Sequence, residues 1–444
     1  MREGYYTRRD VFLGGLTCCA ALAGGLLFTG SSQWTQGAEA AGSRDNHLQL
    51  ALRWNGLDFT WLPDNTRLAI ASTGGLGIVE TSNGQLNWRK WSPIDSPSSQ
   101  NSAPGTSTVY WSSDGTKVMY TTATALLVQD VLTGQPLWSH RADQSVASIA
   151  ALSPDGIRLA LSQSPSVSTS SHPVVSMQIW NVQAGRLITQ FGERSTPPPV
   201  VKSILWSPDN TRIATTSLEG IVQVWQVSDG RLLWSADAPT VGLRQAISWS
   251  PDGSTIAFVG NGTDGQAQLG LWDALSGQLY FQTPALVGFL TDQLWRDNQV
   301  AWSPDSTRIG FSVQARSGLL IEVWSVQRGL RLFTCQPGSG QSTAPTWSPD
   351  GKYLAAGQTV VGSGELVRGD NGERSIIQFW DGHDGHALFT YSAPKSPQRL
   401  TWSPNSHSLA IITPRAYGAL ASSDCLSLCR YGYNDYALEV FRVA

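Results

Sequence analysis

The segment Ile247-Ser248-Trp249-Ser250-Pro251-Asp252-Gly253-Ser254-Thr255-Ile256-Ala257-Phe258 reverses the chain between two stretches of alternating apolar residues. Proline presets the backbone for a turn, and aspartate and glycine tolerate the dihedral angles that a tight turn requires. The segment therefore predicts a β-hairpin whose two strands are joined by the Ser-Pro-Asp-Gly sequence at 250–253.

The same hairpin pattern recurs along the chain at a period of roughly 40 to 55 residues, which is typical of propeller blades. Related turns begin at Trp61, Trp111, Leu152, Trp206, Trp249, Trp302, Trp347 and Trp402. A chain of 444 residues would by its length suggest two or three domains, but eight copies in register indicate one repeat structure instead.

A third apolar segment follows each hairpin, and a glycine turn then opens a fourth. Tryptophan ends the third segment in five repeats, and a glycine follows five residues later, giving the pairs Trp180 and Gly185, Trp225 and Gly230, Trp272 and Gly277, Trp324 and Gly329, and Trp380 and Gly385. The first two repeats keep the glycine, at Gly84 and Gly134. Each repeat therefore predicts four short antiparallel strands, the unit of a blade.

These repeats predict an all-β chain folded as a single β-propeller of eight four-stranded blades. Seven blades is the alternative, if the weak first repeat forms no blade of its own. The last repeat ends in its third strand, Leu438 to Ala444, and an alternating segment from Leu48 to Trp54 precedes the first repeat. We expect this N-terminal segment to supply the missing outer strand and so close the ring.

The chain from about 48 to 444 resembles WD40 repeats, and Trp249 to Phe258 is also similar to the TolB-type periplasmic propellers. The Trp-Asp pair itself occurs at Trp272-Asp273 and Trp380-Asp381. No Gly-His pair precedes a first strand, so the buried His-Ser-Asp-Trp network of the family is not expected, and packing should depend more on apolar and aromatic filling. The stretch Asp130 to Trp138 resembles the tryptophan-docking motif of quinoprotein propellers. The resemblance implies a bacterial, exported member of these families.

Residues 1–41 predict an export signal or a membrane anchor ahead of a propeller at 42–444. Arg8 and Arg9 precede an uncharged apolar run from Val11 to Phe28, and Ala38-Glu39-Ala40 forms an A-x-A cleavage pattern. The arginine pair resembles a twin-arginine signal. The apolar run is also near the roughly 20 residues that span a bilayer, so a retained anchor is the alternative. Either reading places the propeller in the periplasm, at the cell surface or outside the cell.

Composition and cysteine content narrow the possible partners. Charged residues make up 14% of the chain and the formal net charge is −3, which favours neither nucleic acid nor a membrane surface apart from the N-terminal segment. Cys18 and Cys19 fall in the apolar run. Of the remaining cysteines, Cys425 and Cys429 could form a disulfide in an oxidising compartment. Cys335 falls in a predicted strand and is expected to be a buried apolar thiol.

No catalytic motif stands out. The chain has no G-x-S-x-G elbow and no phosphate-binding P-loop. His383, Asp384 and His386 occupy the position of the glycine turns in other repeats, which favours a solvated turn over a metal site. We therefore predict no cofactor, no metal and no catalysis. The alternative is a secreted quinoprotein-like dehydrogenase, lyase or hydrolase that uses the central channel.

The length of the connecting loops predicts the binding face. In a propeller, the turns between strands one and two and between strands three and four share one face, and here they are short. The longest predicted connections all belong to the opposite face, at 92–107, 162–173, 191–200, 283–298, 360–374 and 413–434. Function concentrates in loops on rigid scaffolds, and Trp, Tyr and Arg are enriched at binding hot spots. The predicted anchors for a protein or peptide partner of a monomeric propeller are Trp295, Arg296, Arg374, Arg430, Tyr431 and Tyr433.

Overall fold

The computed structural model describes a large part of the chain after residue 46. The described residues are 47–48, 56–72, 75–82, 86–90, 109–121, 125–141, 149–163, 176–192, 201–217, 220–238, 245–261, 266–283, 300–315, 318–338, 343–361, 373–393, 397, 399–414 and 436–443. All regular secondary structure within these ranges is β-strand. The all-β prediction is therefore confirmed.

Thirty-two strands follow one another along the chain. Those of the first four blades are β2 (Gly56–Trp61), β3 (Arg67–Ser72), β4 (Gly75–Glu80), β5 (Leu86–Lys90), β6 (Val109–Trp111), β7 (Lys117–Thr121), β8 (Ala125–Asp130), β9 (Pro136–Arg141), β10 (Ile149–Leu152), β11 (Arg158–Gln163), β12 (Ser176–Asn181), β13 (Arg186–Phe191), β14 (Val201–Trp206), β15 (Arg212–Ser217), β16 (Ile221–Gln226) and β17 (Leu232–Asp237).

Those of the last four blades are β18 (Gln245–Trp249), β19 (Thr255–Asn261), β20 (Ala267–Asp273), β21 (Leu279–Gln282), β22 (Val300–Trp302), β23 (Arg308–Ala315), β24 (Gly318–Ser325), β25 (Leu330–Gly338), β26 (Thr346–Trp347), β27 (Tyr353–Val361), β28 (Glu373–Asp381), β29 (Ala387–Ala393), β30 (Arg399–Trp402), β31 (Ser408–Pro414) and β32 (Tyr436–Arg442), together with β1 (His47–Leu48).

These strands form eight four-stranded antiparallel sheets, as the repeats predict. Blades 1 to 7 are consecutive meanders, from β2–β5 to β26–β29, in which the strand order follows the sequence. Blade 8 has the order β1-β32-β31-β30, so its outer strand comes from the N-terminal side of the chain. His47 pairs with Phe441 and Leu48 with Val440, which confirms the predicted closing strand at its first two residues.

The eight sheets close into a ring around their first strands. Neighbouring first strands contact each other in sequence, and β2 of blade 1 contacts β30 of blade 8. A separate hydrophobic cluster lies between each pair of neighbouring blades, and the one joining blades 8 and 1 packs Ala410 and Val440 against Phe59 and Ile70. The core is therefore a series of inter-blade layers, each excluding water from two sheet faces.

Tryptophans at the ends of three first strands tie blades 1, 4 and 5 to the preceding blade. The Trp61 indole Nε1 donates to the Thr401 carbonyl at 3.0 Å, Trp206 Nε1 to the Ala151 carbonyl at 2.9 Å, and Trp249 Nε1 to the Leu205 carbonyl at 3.3 Å. These bonds satisfy buried indole N–H groups that would otherwise cost free energy. The equivalent tryptophans of blades 6 to 8 pack in the inter-blade clusters, and their buried Nε1 atoms have no hydrogen-bond partner among the described residues.

A second aromatic series joins the outer parts of neighbouring blades. An aromatic ring on the fourth strand of one blade packs on the third-strand tryptophan of the next. The ring centroids are separated by 5.6 Å for Trp138 and Trp180, 5.3 Å for Phe191 and Trp225, 6.1 Å for Trp234 and Trp272, and 6.0 Å for Phe281 and Trp324. The predicted dependence on aromatic packing is thus visible in four successive interfaces.

In blades 4 to 7 the glycine after the third strand fits beneath an aromatic ring of the preceding blade. Gly277 has a φ of +71°, and a Cβ there would lie 2.5 Å from the Trp234 ring of the preceding blade. A Cβ at Gly329 would likewise lie 2.5 Å from Phe281. Glycine is needed at these positions both for the left-handed backbone and for the space it leaves. Gly185 differs, because a Cβ there would meet nothing within 4 Å.

Six fourth strands carry a β-bulge that interrupts the outer edge of the blade. The register shifts opposite the residue that ends or nearly ends the third strand in blades 2 to 7. The extra residue is large and apolar in all six blades: Leu137, Ile188, Leu233, Tyr280, Leu332 and Leu388. Bulges disturb the regular row of edge hydrogen-bonding groups and so oppose edge-to-edge aggregation.

The two kinds of turn glycine give a matched stability prediction. Gly185→Ala should cost about 1 to 2 kcal/mol, because only the left-handed backbone is strained. Gly277→Ala should cost about a further 1 to 3 kcal/mol, because the added methyl group must displace the Trp234 ring. Urea unfolding midpoints of the two variants measure the difference. Equal losses would contradict the packing role assigned to Gly277.

Candidate functional site

The antiparallel strand order gives the ring two different ends. In each blade the connections between strands one and two, and between strands three and four, emerge at one end, which we call the short-turn end. The connections between strands two and three, and from one blade to the next, emerge at the other, the long-loop end. This assignment follows from the sheet orders alone.

Turns of uniform length form the short-turn end. All eight connections between first and second strands have five residues, as in 207–211 and 250–254. In blade 4 the Ser207 hydroxyl donates to Asp209 Oδ1 at 2.5 Å and accepts from the backbone N–H of Arg212 at 2.9 Å. The same Ser-to-Asp or Ser-to-Asn bond occurs in blades 2 to 8. These carboxylates and amides hold the turn in shape.

The turn geometry favours the charged form of the aspartates. Partial burial raises the pKa of Asp209, but hydrogen bonds from Ser207 and Thr211 and the charge of Arg212 outweigh burial, so the pKa is lowered. The pKa of Asp305 is lowered in the same way, against its partial burial, by Ser303, Thr307 and Arg308. These groups are committed to the fold and are poor candidates for catalytic acids.

A hydrogen bond between neighbouring blades, which we call the latch, involves the fourth residue of the turn between strands one and two. The repeat pattern does not predict this bond. The fourth residue has positive φ in every blade, and in four blades it is not glycine: Asn65, Asn210, Ser306 and Ser406. Each of these four side chains accepts a hydrogen bond from a backbone N–H in the equivalent turn of the preceding blade. The donors are Asn405, Asp155, Asp252 and Asp350, at 2.8 to 3.2 Å. The Asn405-to-Asn65 bond joins blade 8 to blade 1.

Arginines at the start of the second strands add a further contact between blades at this end. The Arg212 guanidinium lies 5.0 Å from the Trp249 ring centroid and donates to the Gly253 carbonyl at 2.8 Å. Arg308 Nη2 donates to His383 Nδ1 at 2.7 Å, which links blade 6 to a turn of blade 7. His383 thus contacts a neighbouring blade, and the His386 backbone N–H binds Asp384 within the turn. Within the described ranges no group of three or more His, Cys, Asp or Glu side chains could hold a metal ion.

The long-loop end has connections of very unequal length. They range from 73–74 between β3 and β4 to 415–435 between β31 and β32. The six connections predicted to be long all leave from this end, at 91–108, 164–175, 192–200, 283–299, 362–372 and 415–435. The prediction that they share one face is therefore confirmed. Most residues of these connections lie outside the described ranges, and the strands around them are described.

One of the six predicted anchors lies in a strand. Arg374 is the second residue of β28 and pairs with Val360 of β27, so its assignment to a loop was wrong. The two strands together take up residues 360–361 and 373–374 of the connection that the sequence predicted at 360–374. Trp295, Arg296, Arg430, Tyr431 and Tyr433 lie outside the described residues, as do Cys425, Cys429, Arg8, Arg9, Ala38 and Ala40.

Two cations lie near the long-loop end at positions that the sequence did not single out. The innermost strands start at this end. Lys202 is the second residue of β14 in blade 4, and Arg399 is the first residue of β30 in blade 8. Lys202 is the extra residue of a β-bulge in β14, and burial lowers its pKa. Burial lowers the pKa of Arg399 to about 10, and its guanidinium lies 5.8 Å from the Phe59 ring centroid. In the sequence, each is a single cation among small and apolar residues of an inner strand. In the structure, their blades lie on opposite sides of the eight-bladed ring.

Cys335 is a buried free thiol, as predicted. It lies in β25 and packs in the cluster between blades 6 and 7 with Ile321 and Trp347. Burial raises the pKa of its thiol to about 12, so the unreactive thiol form dominates at neutral pH. Among the residues that the structure describes, no helix has the length and apolar character to cross a bilayer.

Comparison with known proteins supports the fold and the repeat. The family model "WD domain, G-beta repeat" matches residues 185–226. The small ribosomal subunit protein RACK1 of Caenorhabditis elegans is 28% identical over 171 residues, which cover 36% of this chain and 47% of RACK1. Protein HIR1 of Kluyveromyces lactis is 24% identical over 203 residues, covering 40% of this chain and 23% of HIR1.

A solved structure resembles the whole ring. The crystal structure of the computationally designed Ika8 protein superposes with a TM-score of 0.56 at 14% identity, covering 90% of this chain and 98% of Ika8. At this identity the likeness concerns the fold alone. The chain spans less than half the length of RACK1 and less than a quarter of HIR1, so the activities of those whole proteins do not transfer with the match.

The turn aspartates predict a loss of stability in acid. Their pKa is lower in the folded chain than the value of 3.8 expected when unfolded, so the unfolded state binds more protons as the pH falls. Their contribution should be complete above about pH 5 and should decline as the pH falls through 3.8. Urea midpoints measured between pH 7 and pH 3 test this.

The triple variant Ser207→Ala, Ser250→Ala, Ser303→Ala removes three of the hydroxyl donors. It should unfold at lower urea at pH 7 and lose less stability than the wild type on acidification, because fewer bonds depend on the ionised aspartates. Ser235→Ala, on an outer strand, is the control. An unchanged pH dependence in the triple variant would refute the assigned cause.

Proposed function

We propose that this chain, which forms a β-propeller and matches the WD40 family model at residues 185–226, is an exported, non-catalytic scaffold that binds a protein or peptide partner through its long-loop end. Propellers of this type are typically protein-interaction scaffolds. The ring supplies a rigid support, and the unequal loops supply the partner-specific surface. The central-channel enzyme remains an alternative on sequence grounds only.

The contrast between the two ends carries this proposal. Every first turn at the short-turn end has five residues, and most have the same Ser-Asp geometry and inter-blade contacts. The side chains of these first turns bind within the turn or to the neighbouring blade, and so hold the ring closed. The long-loop end accepts connections as different as 73–74 and 415–435 on the same type of blade. Freedom to vary in length without disturbing the ring is what a recognition surface requires.

The chemistry of the long-loop end suits an anionic partner segment. Lys202 and Arg399 place two positive charges at the start of the innermost strands, on opposite blades. The predicted loop anchors Trp295, Arg296 and Tyr431 are residue types that contribute strongly to binding at hot spots. We infer that aromatic contacts in the loops and positive charge near the ring opening act together on a partner that presents a carboxylate.

Paired loop variants test the binding face. Trp295→Ala with Arg296→Ala, and separately Tyr431→Ala with Tyr433→Ala, should weaken partner capture by about tenfold or more, the usual effect of losing a hot-spot residue. Capture is measured by crosslinking and affinity purification from the surface of native cells. Gln183→Ala with Asp229→Ala, at exposed positions of the short-turn end, is the matched control. Equal losses for the control and the loop variants would exclude the long-loop end as the binding surface.

Export is tested independently of binding. Replacing Arg8 and Arg9 by lysine should keep the chain in the cytoplasm if the pair acts as a twin-arginine signal, because lysine preserves charge and loses the recognised residues. Mass spectrometry of the exported protein should find an N terminus just after Ala40, as the A-x-A pattern predicts. An unprocessed chain in the membrane fraction would favour the anchor instead.

A further inference from the structure

Exposed large apolar side chains concentrate on the outer rim of blades 5 and 6. Leu275 is 69% exposed in the turn before β21, and Leu330 is 60% exposed at the start of β25. Leu279, Tyr280 and Leu332 are each 40% to 45% exposed on the same two strands. We call these five residues the rim patch. Contiguous apolar surface of this kind marks interaction sites on soluble proteins more often than isolated leucines do.

The turn of blade 6 packs against the outer strand of blade 5 beneath the rim patch. Gly329, which precedes Leu330, is so close to Phe281 of β21 that a Cβ would lie 2.5 Å from its ring. Phe281 in turn packs on Trp324 of blade 6 at 6.0 Å. The blade 6 turn therefore rests directly on the strand that carries Leu279 and Tyr280. The Tyr280 hydroxyl bonds to Thr255 at 3.0 Å, which fixes the ring in place on the rim.

A positive charge borders the rim patch. The turn 326–329 of blade 6 carries Arg328 and no carboxylate, whereas the turns of blades 5 and 7 begin with Asp273 and Asp381. Arg328 is exposed, and among the described residues its guanidinium has no ion pair. Arg331 is different, because it binds the buried Glu322 at 3.1 Å. Asp273 accepts hydrogen bonds from the backbone of its own turn, at Leu275 and Ser276.

The edge of β25 is unsuited to pairing with a strand from another chain. Its register shifts between Val323 and Trp324 of β24, which leaves Leu332 as a bulged residue. A bulge interrupts the regular spacing of the backbone groups that an added strand would need. Contact through side chains is therefore favoured, and an amphipathic helix offers leucines at the i, i+3, i+4 and i+7 positions for this purpose.

We propose that the rim patch is a second docking surface, distinct from the long-loop end, and that it binds an amphipathic helix of a protein partner whose acidic residue faces Arg328. A membrane surface is a poorer match, because polybasic membrane sites use clusters of about four to eight Lys or Arg residues. One unpaired arginine beside five apolar side chains matches a helix with a few carboxylates along its apolar face.

The probe is a synthetic amphipathic helix of about 18 residues, long enough to be helical in isolation, with leucines on one face and glutamates beside them. A second peptide has lysine in place of every glutamate. Fluorescence anisotropy with the purified propeller should show binding of the glutamate peptide at least about fivefold tighter than that of the lysine peptide at low salt. Leu275→Ser with Leu330→Ser should weaken it by about tenfold.

Two controls separate this surface from nonspecific adhesion. Leu187→Ser with Ile188→Ser changes two similarly exposed residues of blade 3 and should leave the affinity unchanged. Arg328→Glu, an exposed change that spares the core, should reverse the preference between the two peptides. The proposal is overturned by absence of peptide binding, by equal losses in the blade 3 variant, or by retained preference in Arg328→Glu. Binding to phosphatidylserine-containing vesicles without peptide binding would also overturn it.

Discussion

The ring depends on the contact between an outer-strand aromatic side chain and the turn glycine of the next blade. Trp234 against Gly277 and Phe281 against Gly329 are two instances, each with a second contact to a third-strand tryptophan. Blades 4 to 7 each make this contact with the preceding blade. One blade that could not approach closely would leave a gap at the junction of β2 and β30.

Three further contacts repeat around the ring at different radii. First-strand indoles of blades 1, 4 and 5 bind the preceding blade, the Asn65-type latches join neighbouring turns, and Arg212-type guanidinium groups cover the next tryptophan. None is strong alone, since a single neutral hydrogen bond contributes about 1 kcal/mol. Together, the repeated contacts stabilise the ring. They hold the first turns of neighbouring blades together at the short-turn end.

The sequence predicts those features that a local pattern encodes. Turn chemistry and the Trp-to-Gly spacing locate the blades, and strand alternation near Leu48 anticipates the closing strand. Cys335 was expected to be buried because it falls in a predicted strand, and it packs with Ile321 and Trp347. The pattern fails where a long-range partner decides the role of a residue. Asn65 and Ser306 occupy the same position as turn glycines, and nothing local shows that they accept bonds from another blade.

The candidate site was only partly predictable for the same reason. The strand order follows from the repeats, so the common face of the long connections could be derived from loop lengths. Individual anchors could not, because loop sequences carry no period. Arg374 shows the error directly: the predicted connection ran from 360 to 374, but the strand ladder pairs Val360 with Arg374. Lys202 and Arg399 were missed because a single cation in a strand has no sequence signature beyond its neighbours.

In the outer strands, protection of the unpaired edge conflicts with burial of apolar side chains. Every fourth strand leaves one edge unpaired, and the bulges in blades 2 to 7 make that edge irregular. The bulged residues are large and apolar, so the same device that opposes strand pairing turns hydrophobic surface toward the rim. Bulged residues of several blades are exposed to a similar extent, at 45% for Ile188, 41% for Leu332 and 42% for Leu388. Leu275 and Leu330 are more exposed, at 69% and 60%, and neither is a bulged residue. Protection of an edge therefore does not account for the apolar surface that these two leucines add to blades 5 and 6.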